Sequence, residues 1–407
     1  MFIPKQCSFL RLISKSYNRQ IHGNSKRAII LGIETSCDDT GCGIVDTQGN
    51  LLGEALHSQH LTHLNNGGII PPIAHDLHRQ NIENVVQQAL KSASLSLNEV
   101  DAIATTVKPG LPLSLIIGAK YGKYLCKKYH KPFIPVHHME AHALTARMFD
   151  KSIEFPFLVL LISGGHCLLA VANSVDEFLL LGESIDDAPG EAFDKMARRL
   201  KIKNLPQYST LSGGAAIELA TSEATDFLDF AGIKAVFLRH IWRAEKKGIP
   251  PDGVMSGYQN LCASFLLTTT RHLCHRVQRG MEYLARKKLI PPDKQTLVVS
   301  GGVACNNFIA EGLQIVCENL NYKFIRPPPK FCTDNGIMIA WNGVERWNAN
   351  IGVYKNFDDI EIASTSQLGQ SVKEDVAAEN ISCKWVKLSS LAKPKVQIDS
   401  EQKSMTN

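Results

Sequence analysis

The apolar positions of this chain form two successive sets of strand-length runs, each followed by stretches in which apolar residues recur at helical spacing. In the first set, the pattern predicts five strands, at 28–33, 41–45, 51–56, 100–107 and 133–136. It also predicts three helices, at 77–97, 113–126 and 138–149. The order is a strand meander followed by alternating strands and helices.

The same order restarts after residue 150. The second set predicts strands at 155–162, 167–172, 178–181, 297–299 and 323–325. Helices are predicted at 191–200, 258–279, 306–319 and 336–347. Two halves that both open with a meander form a weak internal repeat, which predicts an α/β protein with two domains facing a cleft.

These patterns predict four segments. Residues 1–27 form a leader, 28–150 the first domain and 151–348 the second domain, whose final helix can pack back on the first. Residues 349–407 are a C-terminal extension that becomes polar and Lys-rich with little periodicity. The part from 370 onward is interpreted as a tail with one strand near 382–388.

The charge distribution supports the leader. The chain has 407 residues and a formal net charge of +5, but residues 1–33 contain six basic residues and no acidic one, so the remainder carries about −1. Overall charge therefore gives no argument for nucleic-acid binding. A basic, Ser-containing, acid-free start is typical of a mitochondrial transit peptide, and a disordered basic tail is the alternative. No apolar stretch is long enough to predict a transmembrane helix.

Hydrophobic residues make up 44% and charged residues 20% of the chain, which excludes collagen-like, coiled-coil and wholly disordered proteins. The 11 cysteines are odd in number, are scattered and include no CxxC pair. A disulfide framework is therefore not expected, and the thiols fit a reducing compartment such as the mitochondrial matrix.

The most specific arrangement of polar residues is the histidine pair His138 and His142. Residues four apart share one helix face and can bind one metal ion, although the spacing alone also fits an ordinary surface or core-edge pair. Glu140 lies about 200° round the helix from His138, which disfavours a metalloprotease that uses it as base. Asp334 can be a third ligand or the N-cap of the last helix, and the local pattern favours the cap.

Glycine-rich turns follow two of the strands predicted in the second half of the chain. They are Ser163-Gly164-Gly165 and Ser300-Gly301-Gly302, and a further pair, Gly213-Gly214, precedes apolar residues with helical spacing. Such turns let a backbone approach a phosphate or sugar, but they are also ordinary tight turns. No Walker A or GxGxxG sequence opens a helix, which disfavours P-loop and Rossmann binding.

Two charged regions have both a simple and a functional interpretation. The acidic segment 186–194 begins a helix, where acids favour the helix dipole, and Asp194 can instead reach ligand hydroxyls in the cleft. Residues 201–290 contain 13 Lys or Arg against seven Asp or Glu, with Trp242 and Tyr283 interleaved. This stretch can follow a phosphate backbone, or it can be a solvated face.

The ordered motifs HHMEAH, LLISGGH, IDDAPGEAFDKMA, SGGVACN and TDNGIMIAW resemble the tRNA adenosine threonylcarbamoyltransferase family, once described as glycoproteases. The resemblance extends from about Ile29 to Trp347 and, with the leader, is greatest to mitochondrial members. It implies an actin-like ATPase fold, with two RNase-H-like domains around a nucleotide cleft. It also implies transfer of a threonylcarbamoyl group from threonylcarbamoyl-AMP, made by a separate synthase, to the adenosine 3′ of the anticodon in tRNAs that read codons beginning with A.

The resemblance also implies the site residues. His138, His142 and Asp334 would bind one divalent metal ion, for which ligand softness favours Zn²⁺ or Fe²⁺ over Mg²⁺. The adenylate would be held by Leu161, Ile162, Ser163, Gly164, Gly165, Asp194, Gly214, Glu218 and Asn306. No general base is identified.

The resemblance to mitochondrial members further implies a homodimer in the matrix. Two other function classes remain open at this point. An actin-like kinase or ATPase acting on a small molecule would use the same cleft without the histidine pair. A non-catalytic nucleic-acid-binding protein of the organelle would rest on the basic stretch.

Overall fold

The structure, a computed structural model, describes residues 27–227, 235–246, 248 and 252–393. Residues 1–26 of the predicted leader lie outside the described residues, and so does Lys247 of the basic stretch. The strands are β1 (Ile29–Glu34), β2 (Asp39–Asp46), β3 (Leu51–Ser58), β4 (Ala102–Lys108), β5 (Phe133–His137), β6 (Phe157–Ile162), β7 (Cys167–Ala172), β8 (Phe178–Glu183), β9 (Thr296–Ser300), β10 (Lys323–Ile325) and β11 (Gln370–Ser371).

Helices connect and cover these strands. They are α1 (His60–Asn65), α2 (Pro71–Ala93), α3 (Pro112–Tyr129), α4 (His138–Leu144), α5 (Ala146–Phe149), α6 (Pro189–Arg199), α7 (Gly213–Ser222), α8 (Ala235–Glu245), α9 (Tyr258–Lys287), α10 (Asn307–Asn319), α11 (Gly336–Ala349) and α12 (Lys373–Ala378). The described part of the chain contains no helix that is both long and apolar enough to cross a membrane.

Five strands of each sheet follow the same order. The first sheet is β3-β2-β1-β4-β5, and the second, taken from its other edge, is β11-β8-β7-β6-β9-β10, in which β11 is an additional edge strand. In the first sheet, β1 pairs antiparallel with β2 and parallel with β4, and in the second, β6 pairs antiparallel with β7 and parallel with β9. The internal repeat inferred from the hydrophobic pattern is therefore a repeated sheet topology. The first sheet lies within 29–137, which supports our proposal of a first domain at 28–150.

The helix α11 belongs to the second half of the chain but packs on the first sheet. Its first residue, Gly336, lies so close to β2 that an added Cβ would sit 2.4 Å from the Cys42 Cα and the Gly43 nitrogen. In turn, a Cβ on Gly43 would lie 2.5 Å from the Ile337 Cα. Only glycine allows this close approach. Because α11 begins at this contact, the loop before α11 lies beside the first sheet.

The C-terminal extension contacts both sheets in turn. Phe133 and Tyr354 exchange two backbone hydrogen bonds beside β5, and the nitrogen of Ala363 donates to the carbonyl of Val107. Further on, β11 joins the edge of the second sheet beside β8. The strand expected near 382–388 is wrong, because those residues are irregular and are held by side chains such as Gln278, which accepts from Val386.

The other predicted elements differ from the structure mainly at their ends. The helix predicted at 138–149 is divided at Thr145, whose hydroxyl donates to the carbonyl of Ala141 at 2.7 Å. The helix predicted at 258–279 continues to Lys287. The short helix α8 was not predicted at all.

Candidate metal and nucleotide site

The histidine pair lies where β5 ends and α4 begins. The side chain of His138 is 9% exposed and that of His142 is 1% exposed. Their ring centres are 4.7 Å apart, and the ring planes are nearly perpendicular at 88°. The spacing of four residues therefore does place both imidazoles on one face, as a shared metal ion requires.

Asp334 completes this group from the loop before α11. Its Oδ1 lies 3.1 Å from Nε2 of His142 and 3.5 Å from Nε2 of His138. The three candidate ligand atoms all lie within 4.8 Å of one another. The cap role that the local pattern favoured is wrong for Asp334, because Asn335 caps α11 by accepting from the nitrogen of Met338 at 2.9 Å.

A second carboxylate orients the ring of His138 from the opposite side. Glu34, at the end of β1, is completely buried and lies 3.2 Å from Nδ1 of His138. Glu34 also accepts from the hydroxyl of Thr106 at 2.6 Å and from the nitrogen of Ser36. A carboxylate on Nδ1 fixes the ring and leaves Nε2 directed at Asp334, the arrangement found behind many histidine ligands.

These contacts shift the pKa values of the group. Burial disfavours the charged imidazole, but Asp334 and Glu34 outweigh it and raise the pKa of His138 to about 10. Burial acts against ionisation of Asp334 as well, yet the neighbouring histidines lower its pKa well below the usual value. Two anionic side chains thus share one imidazole, so the site is built to hold a cation.

The donor set fits a divalent metal ion. Two imidazole nitrogens and one carboxylate oxygen converge on one point, and three protein ligands leave coordination positions for substrate oxygens. The Nδ1 atom of His142 is buried without a hydrogen-bond partner among the described residues.

The first glycine turn connects β6 to β7 and contacts the beginning of α6. Leu161 and Ile162 are buried in the strand, whereas Gly164 and Gly165 are exposed, and an added Cβ on either would meet open space. The nitrogen of Gly190, in the first turn of α6, donates to the carbonyl of Ser163 at 3.2 Å. An open turn beside a helix N-terminus is suited to an anion.

Asp194 and Gly214, two further predicted adenylate residues, lie in the helices α6 and α7. Oδ1 of Asp194, in α6, accepts from the nitrogen of Gly213 at 2.7 Å. A Cβ on Gly213 would lie 2.3 Å from the same oxygen, so the close approach requires glycine there. The α7 helix begins at Gly213 and is capped by Ser212, so Gly214 lies in its first turn. The apolar spacing predicted helical residues only after this glycine pair, two residues later, from Ala215.

The last two predicted adenylate residues, Glu218 and Asn306, meet at the beginning of α10. Oε1 of Glu218, from α7, accepts from the nitrogen of Asn307 at 2.6 Å. The side chain of Asn306 caps the helix by accepting from Ile309 at 3.0 Å, and its amide nitrogen is buried without a partner among the described residues. An added Cβ on Gly301 would lie 2.4 Å from the carbonyl oxygen of Ile162, which closes the ring of contacts back to β6.

His166 connects the glycine turn to the histidine pair. Its nitrogen donates to the hydroxyl of Ser163 at 3.1 Å. Burial lowers the pKa of His166, and the charges of His138 and His142 lower it further. On the other side, an added Cβ on Gly302 would lie 4.0 Å from the Thr333 side chain. The structure therefore brings the predicted metal and adenylate residues into one cleft.

Glu140 does not face this cleft. Its carboxylate pairs with the guanidinium of Arg346 in α11 at 2.5 Å. This confirms that Glu140 is off the metal face.

Neither aromatic side chain of the basic stretch is a free stacking surface. Trp242 is about half exposed, but Nζ of Lys246 lies 3.7 Å from its ring centre. The ring of Tyr283 is buried.

Cavity size alone would have misplaced the site. A cavity of about 1260 Å³ lies between α6, α9 and α12, away from the histidine pair. A cavity of about 320 Å³ is lined by Asp334 together with Glu54 and Lys330. The convergence of ionisable side chains, rather than volume, marks His138, His142 and Asp334 as the candidate site.

Sequence reasoning missed Glu34, Ser36 and His166. Glu34 directly follows an apolar run, and Ser36, whose hydroxyl lies 3.1 Å from Nδ1 of His138, comes two residues later. A polar residue at the carboxyl end of a central strand is the available signal. His166 ends the motif LLISGGH and follows a glycine turn that was itself selected.

Solved structures of low sequence identity are similar to this chain. Component A of (R)-2-hydroxyglutaryl-CoA dehydratase from Acidaminococcus fermentans is 15% identical with a TM-score of 0.48, covering 79% of this chain and 99% of that one. The ROK hexokinase from Thermus thermophilus is 14% identical with a TM-score of 0.41, covering 78% of this chain and 98% of that one.

Curated relatives are far more similar. The mitochondrial tRNA N6-adenosine threonylcarbamoyltransferase of Mus musculus is 45% identical over 376 residues, covering 88% of this chain and 91% of that protein. The human protein of the same name is 44% identical over 376 residues, with the same coverage. The tRNA N6-adenosine threonylcarbamoyltransferase of Zymomonas mobilis is 36% identical over 347 residues, covering 81% of this chain and 89% of that protein.

The family comparison covers most of the described chain. Residues 50–341 match the family TsaD, tRNA N6-adenosine threonylcarbamoyltransferase. Together with the repeated sheet order, this match confirms the predicted actin-like ATPase fold. The chain therefore belongs to the tRNA N6-adenosine threonylcarbamoyltransferase family and is a transferase.

Proposed function

We propose that this protein transfers the threonylcarbamoyl group of threonylcarbamoyl-AMP to the N6 amine of the adenosine 3′ of the anticodon. Its substrates are mitochondrial tRNAs that read codons beginning with A, and a separate synthase supplies the adenylate. Family membership supports the reaction class. The observation that carries the proposal is the convergence of His138, His142 and Asp334 beside the open glycine turn.

The proposed reaction depends mainly on how the two reacting groups are positioned. Threonylcarbamoyl-AMP is a mixed anhydride in which AMP is a good leaving group, so the amine and the carbonyl must be held together while charge develops. In the proposed arrangement, 161–165 and the first turn of α6 bind the phosphate. Asp194, Gly214, Glu218 and Asn306 hold the nucleoside. These residues are neighbours in one ring of contacts, which supports a single ligand along that wall.

The opposite wall carries the residues that would hold the metal ion. His138, His142 and Asp334 would supply its ligands, and Glu34 keeps the His138 ring in position through Nδ1. A metal ion bound there would orient and polarise substrate oxygens. The donor set of two imidazoles and one carboxylate favours Zn²⁺ or Fe²⁺ over Mg²⁺.

We also propose that the protein works in the mitochondrial matrix as a homodimer. The basic, acid-free residues 1–27 support import, as do the relatives that are named mitochondrial. The reduced state of the described cysteines fits a reducing compartment.

One assay tests the reaction. The purified chain is given a tRNA transcript with adenosine 3′ of the anticodon, a metal ion, and threonylcarbamoyl-AMP, which the separate synthase generates in place from threonine, bicarbonate and ATP. Modified adenosine is measured by mass spectrometry after nuclease digestion. A matched transcript with guanosine at that position is the substrate control.

His142→Ala is the test variant and His60→Ala, at an exposed position, is the matched control. We expect product with the wild type and the control but none with His142→Ala. An equal rate in His142→Ala would contradict the metal role. Phosphorylation of a small molecule would support the kinase alternative, and tRNA binding without any product would support the non-catalytic alternative.

A further inference from the structure

One face of the helix α9 carries basic side chains without nearby acidic ones on the same helix. Five basic residues share an arc of about 140°, along about 12 Å of the helix axis: Arg271, His272, His275, Arg276 and Arg279. The helix contains no Asp or Glu before Glu282, which lies beyond this run. This face therefore concentrates positive charge.

The C-terminal extension adds two lysines beside this face. Gln278, which is 2% exposed, donates to the carbonyl of Lys384 at 2.9 Å. The ring of Trp385 stacks on that of His275, with ring centres 4.3 Å apart. The extension is thus fixed against α9, and the exposed Lys384 and Lys387 lie next to the basic face. The three arginines of α9 and these two lysines together form the α9 surface.

The cations of the α9 surface lack the ion pairs that neighbouring cations form. Within the part of the chain that the structure describes, no carboxylate forms an ion pair with any of them, and Nε of the buried part of Arg279 has no hydrogen-bond partner. Lys373 in α12, by contrast, pairs with Glu183. Lys287, at the end of α9, pairs with Glu379. The charge of the α9 surface is therefore available to an anion from outside the chain.

The basic side chains of this face also repel one another. Burial lowers the pKa of His272 and of His275, and Arg276 lowers both further. A surface of like charges is relieved by an anion that spreads over several of them at once. This arrangement suits a polyanion better than a single small anion.

The chemistry of the surface favours a nucleic acid over a lipid membrane. A helix that lies on a membrane presents large apolar side chains together with its cations. The large apolar residues of this stretch, such as Leu273, Val277 and Met281, are buried instead. Trp385 is 38% exposed, but one face of its ring is covered by His275. A fixed, cationic surface of this kind is suited to backbone phosphates.

We propose that the α9 surface binds the phosphate backbone of the tRNA substrate. This inference rests on the proposed function and identifies the face on which that substrate lies. Arg276 and Arg279 line the cavity of about 1260 Å³ together with Pro189 of α6. Because α6 begins beside the glycine turn, an RNA bound to the α9 surface lies one helix away from the cleft.

Binding of a tRNA transcript to the full-length chain, measured without adenylate or metal ion, tests the surface. Each phosphate contact adds about 0.7 to 0.9 to the steepness of log K against log salt, which is about five- to eightfold in affinity between 1 M and 0.1 M salt. We expect Arg276→Gln and Lys387→Gln each to weaken binding at 0.1 M salt by about that factor and to reduce the steepness by about 1. Arg276→Lys should keep the steepness, because it keeps the charge.

Lys355→Gln is the matched control, since it removes one exposed lysine from the part of the extension beside the first sheet. All variants carry the same basic leader, so a difference between them reports on the substituted side chain. Affinity and steepness equal to the wild type in both Arg276→Gln and Lys387→Gln would overturn the proposal. Unchanged tRNA binding with lost binding to vesicles of phosphatidylcholine and cardiolipin would assign the surface to a membrane instead.

Transfer kinetics separate this proposal from the proposed function. Arg276→Gln should raise KM for the tRNA by the factor that binding loses and leave kcat at the wild-type value, because the lost contact is the same in the ground and transition states. If the wild type forms no product but Arg276→Gln weakens tRNA binding, the proposed function fails and the α9 surface stands. If the wild type modifies the tRNA and both variants bind it equally well, the α9 surface is wrong and the proposed function stands.

Discussion

The two walls of the cleft are built in opposite ways. On the wall from the first sheet, His138, His142 and Glu34 are buried and fixed by hydrogen bonds to one another and to their neighbours. On the wall from the second sheet, Gly164 and Gly165 are exposed and face open space. The difference indicates that the metal site is preorganised, whereas the nucleotide side leaves room for a ligand to make the contacts.

Glycine serves both walls for different reasons. Gly43 and Gly336 are required because β2 and α11 approach within a distance that no side chain allows. At Gly164 the surrounding space is empty, so in the proposed arrangement a side chain there would collide with the ligand rather than with the protein. Glycine is thus required for packing on the first wall, and we propose that it leaves room for the ligand on the second.

The largest effect should come from removing a charge on the buried wall. Asp334→Asn keeps the volume of the side chain but removes the anion shared by His138 and His142. We expect zinc affinity to fall by roughly 100-fold or more, with a parallel loss of transfer. Calorimetric zinc titration measures it, and Asp358→Asn, on an exposed carboxylate paired with Lys127, is the control. Unchanged affinity would place the metal elsewhere.

A pair of glycine substitutions tests the contrast between the walls. Gly43→Ala places a methyl group 2.5 Å from Ile337, so we expect about 2 kcal/mol loss of unfolding free energy. Gly164→Ala should change that free energy by less than about 0.5 kcal/mol but weaken binding of the adenylate. Urea unfolding and nucleotide titration distinguish the two. Equal destabilisation in both variants would contradict the proposed difference.

Glu34→Gln tests whether the carboxylate beside Nδ1 of His138 stabilises the proposed metal site. The amide keeps the shape of the side chain but loses the charge that orients the His138 ring. We expect zinc affinity to fall by about tenfold, less than for Asp334→Asn, because removal of an outer partner weakens a site without abolishing it. Glu83→Gln, at an exposed position of α2, should have no effect.

The smallest effect should appear in the pH dependence of stability. Burial raises the pKa of Asp39 to about 7, so the folded state holds this proton after the unfolded state has released it. Stability should therefore fall as the pH rises from about 4 to 7. Asp39→Asn should be more stable than the wild type above pH 7, and the gain should shrink toward pH 4.

The exposed Asp359→Asn is the control for this experiment. Chemical unfolding at several pH values measures the difference. A gain that stays the same at pH 4 and pH 8 would show that ionisation of Asp39 is not its cause.

The sequence predicted the strands and the residues that follow them, because buried strands are continuous apolar runs and the site lies at their carboxyl ends. It could not decide the role of Asp334. Either Asp334 or Asn335 can cap α11, and only the packing of that helix on β2 shows that Asn335 does so. Glu34 was missed because its partners Thr106 and His138 are 72 and 104 residues away.

The C-terminal extension was the least predictable region. Periodicity reports regular elements, whereas Tyr354 and Ala363 are held in irregular chain by isolated backbone hydrogen bonds, two to Phe133 and one to Val107. Its strand β11 is only two residues long and gives no recognisable pattern.

That extension lies first along the sheet that carries the histidines and then along the sheet that carries the glycine turn. Any motion that separated the two halves would have to lengthen this segment or detach one of its ends. The C-terminal extension therefore limits how far the two halves can separate while both of these contacts remain formed.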